Sequence, residues 1–248
     1  MCCFAGHVSD VSGTNIFARV HGDREYLVYE MTFTSDEETA MILPIPTVPG
    51  TVEDVVQFVS LNEYPDFFRD LELHFSDVWA KSRLLAVGPG VALKVHQVGA
   101  FEASFVPGQE FYDRLDNRFR IPQHIWKQLP EYESYGFVVF KLRAGNRLSV
   151  HPMAFSFQTR DPGSVFFPTV HIHDTTFQQM AAFDHILYTQ NRAARGYAGF
   201  GRFWMPNGMP VSQFLKVSYT NGVVDDNAPC YQTAIVGTFP NTDIVIPI

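Results

Sequence analysis

Hydrophobic residues occur along most of the chain in short segments that alternate with polar residues or run continuously apolar, the pattern of β-strands. Residues 15–20 and 25–34 flank the turn His21-Gly22-Asp23 and predict a β-hairpin. Residues 40–46 form an apolar run that ends in prolines, which predicts a buried strand. Further strands are predicted in the second half of the chain, over residues 135–142, 148–159, 165–173, 212–219, 231–238 and 243–246.

Helical patterns are few and short. Thr51 is a suitable N-cap for a helix over residues 52–61, and Pro65 is a suitable start for a second over residues 66–75. In the second of these, the spacing of the apolar residues predicts one buried stripe, made of Phe67, Phe68, Leu71 and Phe75. A helical pattern also occurs over residues 109–119 and 122–128. Another hairpin is indicated by residues 93–98 and 101–105. The pattern over residues 177–190 fits either a helix or a strand.

These elements favour an α+β fold, mostly antiparallel β, in which a sandwich or barrel-like sheet carries a few short helices. The three strands predicted between residues 135 and 173 follow one another closely and indicate an antiparallel meander. We expect one domain over residues 1–248. A subdomain boundary near residues 120–134 stays open as an alternative, although no flexible linker marks it.

Composition and charge exclude some classes of function. The chain has 248 residues, 46% of them hydrophobic, so it can bury a large core without disulfides. Its net charge is −8 and no basic block interrupts the acidity, which predicts that it does not bind nucleic acid. No signal peptide or membrane span is visible, so we predict a cytoplasmic protein that does not bind membranes. A small molecule or a peptide fits as partner, and the oligomeric state stays open.

The candidate chemistry lies mainly in histidines. His171 and His173 are two residues apart on a predicted strand, so their imidazoles should share one face of the sheet. His151 lies on the preceding predicted strand and could reach that face, and His185, which follows Asp184, is a fourth candidate. Imidazole binds zinc, iron or copper, so this group predicts a metal site. The alternative is that these are ordinary polar residues of strands, or buried histidines bonded to the backbone.

Two adjacent cysteines near the start of the chain offer a second kind of chemistry. Removal of Met1 would make Cys2 a terminal nucleophile whose own amine serves as base, as in N-terminal-nucleophile hydrolases. Alternatively, Cys2 or Cys3 could complete a metal site with the histidines, or both could be buried thiols. Cys230 has no basic partner in its sequence neighbourhood that would activate it.

Three segments carry a resemblance to a known family. They are Met1-Cys2-Cys3-Phe4, residues 41–50 with the motif Leu43-Pro44-Ile45-Pro46, and residues 138–142 followed by 151–155. Over residues 1–175 the chain resembles an uncharacterised family of bacterial proteins that begin with a Cys-containing, Phe-rich segment. The resemblance implies a similar order of strands and no known activity. Members of that family are secreted and have more cysteines, whereas this chain shows no signal sequence.

Three functional hypotheses follow from these residues. The first is a metalloprotein, which would be a hydrolase or an oxygenase if one coordination position of the metal were open. The second is an amide hydrolase that uses Cys2. The third is a non-enzymatic β-sheet protein that binds a partner or self-associates through an aromatic contact surface over residues 197–204.

Overall fold

The computed structural model describes residues 3–50, 55–82, 102–173, 175–196 and 205–248. Its strands are β1 (Cys3–Phe4), β2 (Asp10–His21), β3 (Arg24–Ser35), β4 (Thr39–Ile45), β5 (Val56–Val59), β6 (Glu102–Val106), β7 (Gly136–Leu142), β8 (Gly145–Gln158), β9 (Ser164–Phe167), β10 (Ile172–His173), β11 (Thr176–Phe177), β12 (Met180–Thr189), β13 (Met205–Pro210), β14 (Pro229–Pro240) and β15 (Ile244–Pro247). Its α-helices are α1 (Phe67–Ser82) and α2 (Gln123–Trp126). Short 3₁₀ helices occur at Gln109–Arg114, Asn117–Phe119, Pro130–Ser134, Arg192–Gly196, Val211–Gln213 and Val217–Tyr219.

The strands form two large sheets and one ribbon. The first sheet has the order β11-β10-β1-β4-β7-β6, and the second has the order β13-β14-β12-β2-β3-β8-β5. Strands β9 and β15 pair only with each other among the described residues and make a two-stranded ribbon. Two pairs are parallel, β1 with β10 and β2 with β12, and the other pairs of named strands are antiparallel. The predicted fold class, mostly antiparallel β with a few short helices, is confirmed.

The alternation of side chains explains why β4 is buried throughout and apolar after Thr39. Met41 and Leu43 point into the core that the two sheets share, whereas Ala40 and Ile42 point to the opposite face. That second face is covered by the short helices between residues 109 and 134, whose apolar side chains, such as Trp126, pack against it. A central strand that is buried on both faces has no need of polar residues.

Helix α1 covers the outer face of the seven-stranded sheet. The four residues of its predicted apolar stripe are all buried, and Phe67 packs edge-on against Phe17 of β2 at 5.7 Å between ring centroids. Phe68 and Phe75 contact Tyr188 of β12 at 5.9 and 5.8 Å. The periodicity of this segment therefore predicted both the helix and its buried face correctly, although α1 begins at Phe67 and ends at Ser82.

Several predicted strands are also confirmed. The hairpin around Gly22 is the β2–β3 pair, and Gly22 has the positive φ of 62° that its turn requires. The predicted strands 40–46, 231–238 and 243–246 correspond to β4, β14 and β15. The ambiguous segment 177–190 contains the strand β12.

Other expectations about the elements are wrong. Residues 56–59 of the predicted first helix form β5, because the run Val55-Val56-Gln57-Phe58-Val59 suits a pleated strand and pairs with the edge of β8. Residues 212–219 form 3₁₀ turns instead of a strand. Segment 109–119 forms two 3₁₀ helices, and segment 122–128 contains only the short α2. Of the predicted hairpin near residue 99, residues 93–98 lie outside the described residues, and β6 pairs with β7.

The predicted meander over residues 135–173 is also wrong. Strand β7 belongs to the six-stranded sheet and β8 to the seven-stranded sheet, so the chain crosses between the sheets at residues 143–144. Strand β9 leaves both sheets and pairs with β15 near the end of the chain. The short distance between these strands in the sequence favoured pairing of each strand with the next. Instead, the strands lie in different layers, where their apolar faces are buried.

Candidate functional site

Three of the four candidate histidines lie together between the two sheets. His171 immediately precedes β10 and His173 ends it, and their ring centroids are 6.0 Å apart. His185, on β12 of the facing sheet, stacks on His171 at 5.2 Å with an angle of 14° between the ring planes. Phe183 packs against both of these rings, at 4.4 Å from His171 and 5.2 Å from His185.

Two residues near the end of the chain fix the backbone that carries His171. The side chain of Asn241 accepts a hydrogen bond from the His171 N–H at 2.7 Å and donates one to the His171 carbonyl at 2.8 Å. The carboxylate of Asp243 accepts hydrogen bonds from Thr169 N at 2.7 Å, Val170 N at 3.0 Å and the Tyr132 hydroxyl at 2.6 Å. These bonds satisfy backbone groups that an irregular buried segment would otherwise leave unpaired.

Burial makes His171 neutral. Desolvation lowers its pKa to about 2, and the charge of His173 acts in the same direction. His171 and His185 are 4% and 0% exposed, so neither imidazole is open to solvent for proton exchange with a substrate. The rings act as polar aromatic groups of the core.

The geometry does not support the predicted metal site. Within the described residues, no group of three or more His, Cys, Asp or Glu side chains could hold a metal ion. The rings of His171 and His185 lie in nearly parallel planes, whereas a metal ion needs lone pairs that converge on one point about 2 Å from each nitrogen. The prediction of a metal-binding protein is therefore wrong for this part of the chain.

His151 lies apart from the other three histidines. It is on β8, and two strands, β2 and β3, separate β8 from β12 in the seven-stranded sheet. At about 4.8 Å per strand, this places β8 roughly 14 Å from β12. The expected pairing of its strand with segment 165–173 does not occur, because β8 pairs with β3 and β5.

The cysteines do not join the histidines either. Cys3 is buried in β1 on the face covered by the short helices, whereas its neighbour Phe4 points into the core and lies 5.8 Å from His173. The Cys3 thiol donates to the Val170 carbonyl at 3.7 Å. Burial raises the pKa of the Cys230 thiol well above its ordinary value, which disfavours a reactive thiolate. Cys2 lies outside the described residues, so its role as a nucleophile stays a prediction that retention of Met1 in an intact-mass measurement would refute.

Sequence reasoning did not single out three polar residues that organise this region: the buried Glu25 and Asn241, and the partly buried Asp243. Asn241 and Asp243 bind segment 169–171, which lies 70 to 74 positions away, and Glu25 binds Phe166 N across 141 positions. The sequence did contain a signal for these residues, because each is a polar residue inside or beside an apolar strand pattern. Their partners depend on tertiary pairing that no local pattern encodes.

Part of the surface is apolar. Phe58 on the edge strand β5 is 42% exposed, and Met180 and Val236, on paired strands of the seven-stranded sheet, are 48% and 57% exposed. The aromatic segment 197–204, predicted as a contact surface, lies outside the described residues. No helix among the residues described is long and apolar enough to span a bilayer.

Comparison with known proteins gives a fold but no family. No family model matches the chain, and no curated protein matches it. The crystal structure of baculovirus P35 matches with a TM-score of 0.57 at 14% sequence identity, over 99% of this chain and 99% of that one. Two other matches have 12% identity: a mutated baculovirus P35 after caspase cleavage (TM-score 0.48, 95% and 99% covered) and the caspase-8/P35 complex (TM-score 0.46, 95% and 96% covered).

The P35 match agrees with the β-rich fold described above, and at this identity it shows the fold alone. The resemblance to a bacterial family is untested by these structures and stays a prediction.

Proposed function

We propose that this chain is a non-enzymatic protein that binds another protein, and that its partner is a cysteine protease of the caspase class. The observation that carries the proposal is the fold shared with P35 over nearly the whole of both chains. P35 has been crystallised in complex with caspase-8 and, as a mutant, after cleavage by a caspase. A scaffold of this kind presents surface loops to a partner while its sheets stay rigid.

The state of the candidate catalytic groups supports binding over catalysis. The described cysteines, Cys3 and Cys230, are 1% and 0% exposed. The stacked histidines His171 and His185 are both buried, and burial keeps His171 neutral by lowering its pKa. A nucleophile must reach a substrate and a general base must be within hydrogen-bond distance of it. Buried groups of this kind serve packing, which suits a protein whose function lies on its surface.

The proposal is tested by mixing the purified full chain with caspase-8. We expect hydrolysis of a fluorogenic peptide by the protease to stop at an equimolar ratio, and the two proteins to elute together in size-exclusion chromatography. Caspase-8 with an alkylated catalytic cysteine distinguishes two modes: retained co-elution indicates surface docking, and its loss indicates engagement of the active site.

Heat-denatured chain is the control for non-specific effects. Full protease activity and separate elution at micromolar concentrations would refute the caspase assignment. Elution of the chain alone as a defined oligomer would instead favour self-association, which was part of the third sequence hypothesis.

A further inference from the structure

The ribbon of β9 and β15 is joined to the seven-stranded sheet by an unusual hydrogen bond. Strand β9 pairs with β15 along one edge, from Ser164 opposite Pro247 to Phe167 opposite Ile244. The backbone N–H of Phe166 points instead to β3, where it donates to Oε1 of Glu25 at 2.7 Å. A buried N–H needs an acceptor, and here a carboxyl group takes the place of a neighbouring strand.

Glu25 is buried in apolar surroundings. It is 0% exposed, and its second oxygen, Oε2, has no hydrogen-bond partner within the described part of the chain. Its neighbours in the sheet are Val20 of β2 and Phe157 of β8, neither of which carries a charge. The adjacent Arg24 directs its guanidinium to Ser156 and to the Val55 carbonyl.

The electrostatic environment favours the neutral acid. Burial raises the pKa of Glu25 well above its ordinary value, and the negative charge of Asp161 raises it further, while the Phe166 N–H opposes both. An ionised carboxylate with a single donor would be poorly solvated at this position. The neutral form therefore keeps the ribbon in contact with the sheet at the smallest cost.

We propose that Glu25 is a protonation-controlled latch, which holds the β9–β15 ribbon against the seven-stranded sheet when neutral and favours release of the ribbon when it loses its proton. Release would expose the carboxylate to water, where it is solvated. It would also uncover Val165, Phe167, Ile244 and Ile246, which pack in the shared core. The latch is independent of any protease and would operate whether or not the chain binds one.

The direction of the pH dependence follows from linkage. The closed state has the higher pKa, so it binds one more proton than the open state in the interval between the two pKa values. The ribbon is held most firmly below the ordinary pKa of a glutamate. Above it, each unit of pH raises the ratio of open to closed ribbon by about tenfold, until the pKa of the closed state is reached.

Amide hydrogen exchange of the full chain between pH 5 and pH 9, corrected for the intrinsic exchange rate, tests the latch. In the wild type we expect protection of the ribbon amides to fall by up to tenfold per pH unit. Glu25→Gln keeps the shape and can still accept from Phe166 N, but cannot ionise, so its ribbon protection should not change with pH. An equal fall in wild type and Glu25→Gln would overturn the proposal.

Two other carboxyl groups serve as controls. Burial raises the pKa of Glu30 to about 8 and that of Asp243, which directly precedes β15, to about 6. Neither Glu30→Gln nor Asp243→Asn should abolish the pH dependence of the ribbon. If Glu25→Gln does not fold, the test uses the wild type alone. Protection of the ribbon amides that falls with pH no more steeply than protection of the β4 and β7 amides would overturn the proposal.

Discussion

At the scale of single residues, a few polar side chains determine how the irregular segments are held. Asp243 accepts three hydrogen bonds from groups on two separate segments, one of which leads to His171. Its loss would leave three buried donors without an acceptor, which is the costly outcome for a polar group in a core.

We therefore predict that Asp243→Ala lowers the free energy of unfolding by about 3 kcal/mol. Asp243→Asn should cost only about 1 kcal/mol, since the amide oxygen can still accept from Thr169 N and Val170 N, and its NH₂ can donate to Tyr132. Urea denaturation of the three proteins measures both values. Equal losses in the two variants would show that these hydrogen bonds contribute little.

The buried imidazole of His171 predicts sensitivity to acid. Its pKa is about 2 in the folded chain, so the unfolded chain binds more protons below the ordinary histidine pKa of about 6.5. The associated stability is fully present above pH 6.5 and is lost as the pH falls. Between pH 6.5 and 4.5 the loss amounts to about 2.3 kcal/mol.

His171→Phe, which fills similar space without titrating, should remove that part of the pH dependence in urea melts. His21→Gln is the matched control, because His21 is exposed at the β2–β3 turn. If the stabilities of wild type and His171→Phe were equally sensitive to acid, the buried imidazole could not be the cause of that sensitivity.

At the scale of elements, the pattern of α1 leads to a paired prediction. Leu71 is completely buried and Leu73, two positions along the same helix, is 55% exposed. Leu71→Ala should cost about 2–5 kcal/mol because it leaves a cavity against the sheet. Leu73→Ala should stay within about 0.5 kcal/mol, as is usual for exposed positions. Thermal melts of both variants make the comparison, and similar losses would contradict the assignment of the buried face.

The same scale shows what sequence patterns could and could not supply. Strong periodicity identified α1 and its buried face, and turn chemistry at Gly22 identified the β2–β3 hairpin. Strand β5 was missed because Thr51, Glu53 and Asp54 are typical of the start of a helix. The β-branched residues after them adopt a strand conformation because they pair with β8. The predicted metal site was wrong for a related reason: alternation predicts which face of a sheet a residue shares with its neighbours, but not which strand lies opposite that face.

At the scale of the whole molecule, the two sheets depend on one shared core. Phe140 of β7 contacts Phe58 and Phe155 of the other sheet, at 6.1 and 6.0 Å between ring centroids. Side chains that interlock in this way couple the stability of both layers.

Phe140→Ala should therefore destabilise both sheets, by about 3–5 kcal/mol. Hydrogen exchange in β4 and β7 of one sheet and in β3 and β8 of the other should accelerate together. Tyr219→Ala, at a position 45% exposed, is the control and should leave both unchanged. Faster exchange in the six-stranded sheet alone would show that the layers unfold independently.

The position of β1 also sets a time order for assembly. Cys3 pairs with Ile42 on one side and with Ile172 on the other, so one neighbour is synthesised early and the other 130 positions later. At about 5–20 residues per second, a ribosome needs roughly 7–26 s to bridge that gap. During this interval one edge of β1 is without its partner, so the six-stranded sheet can close only when most of the chain has been made.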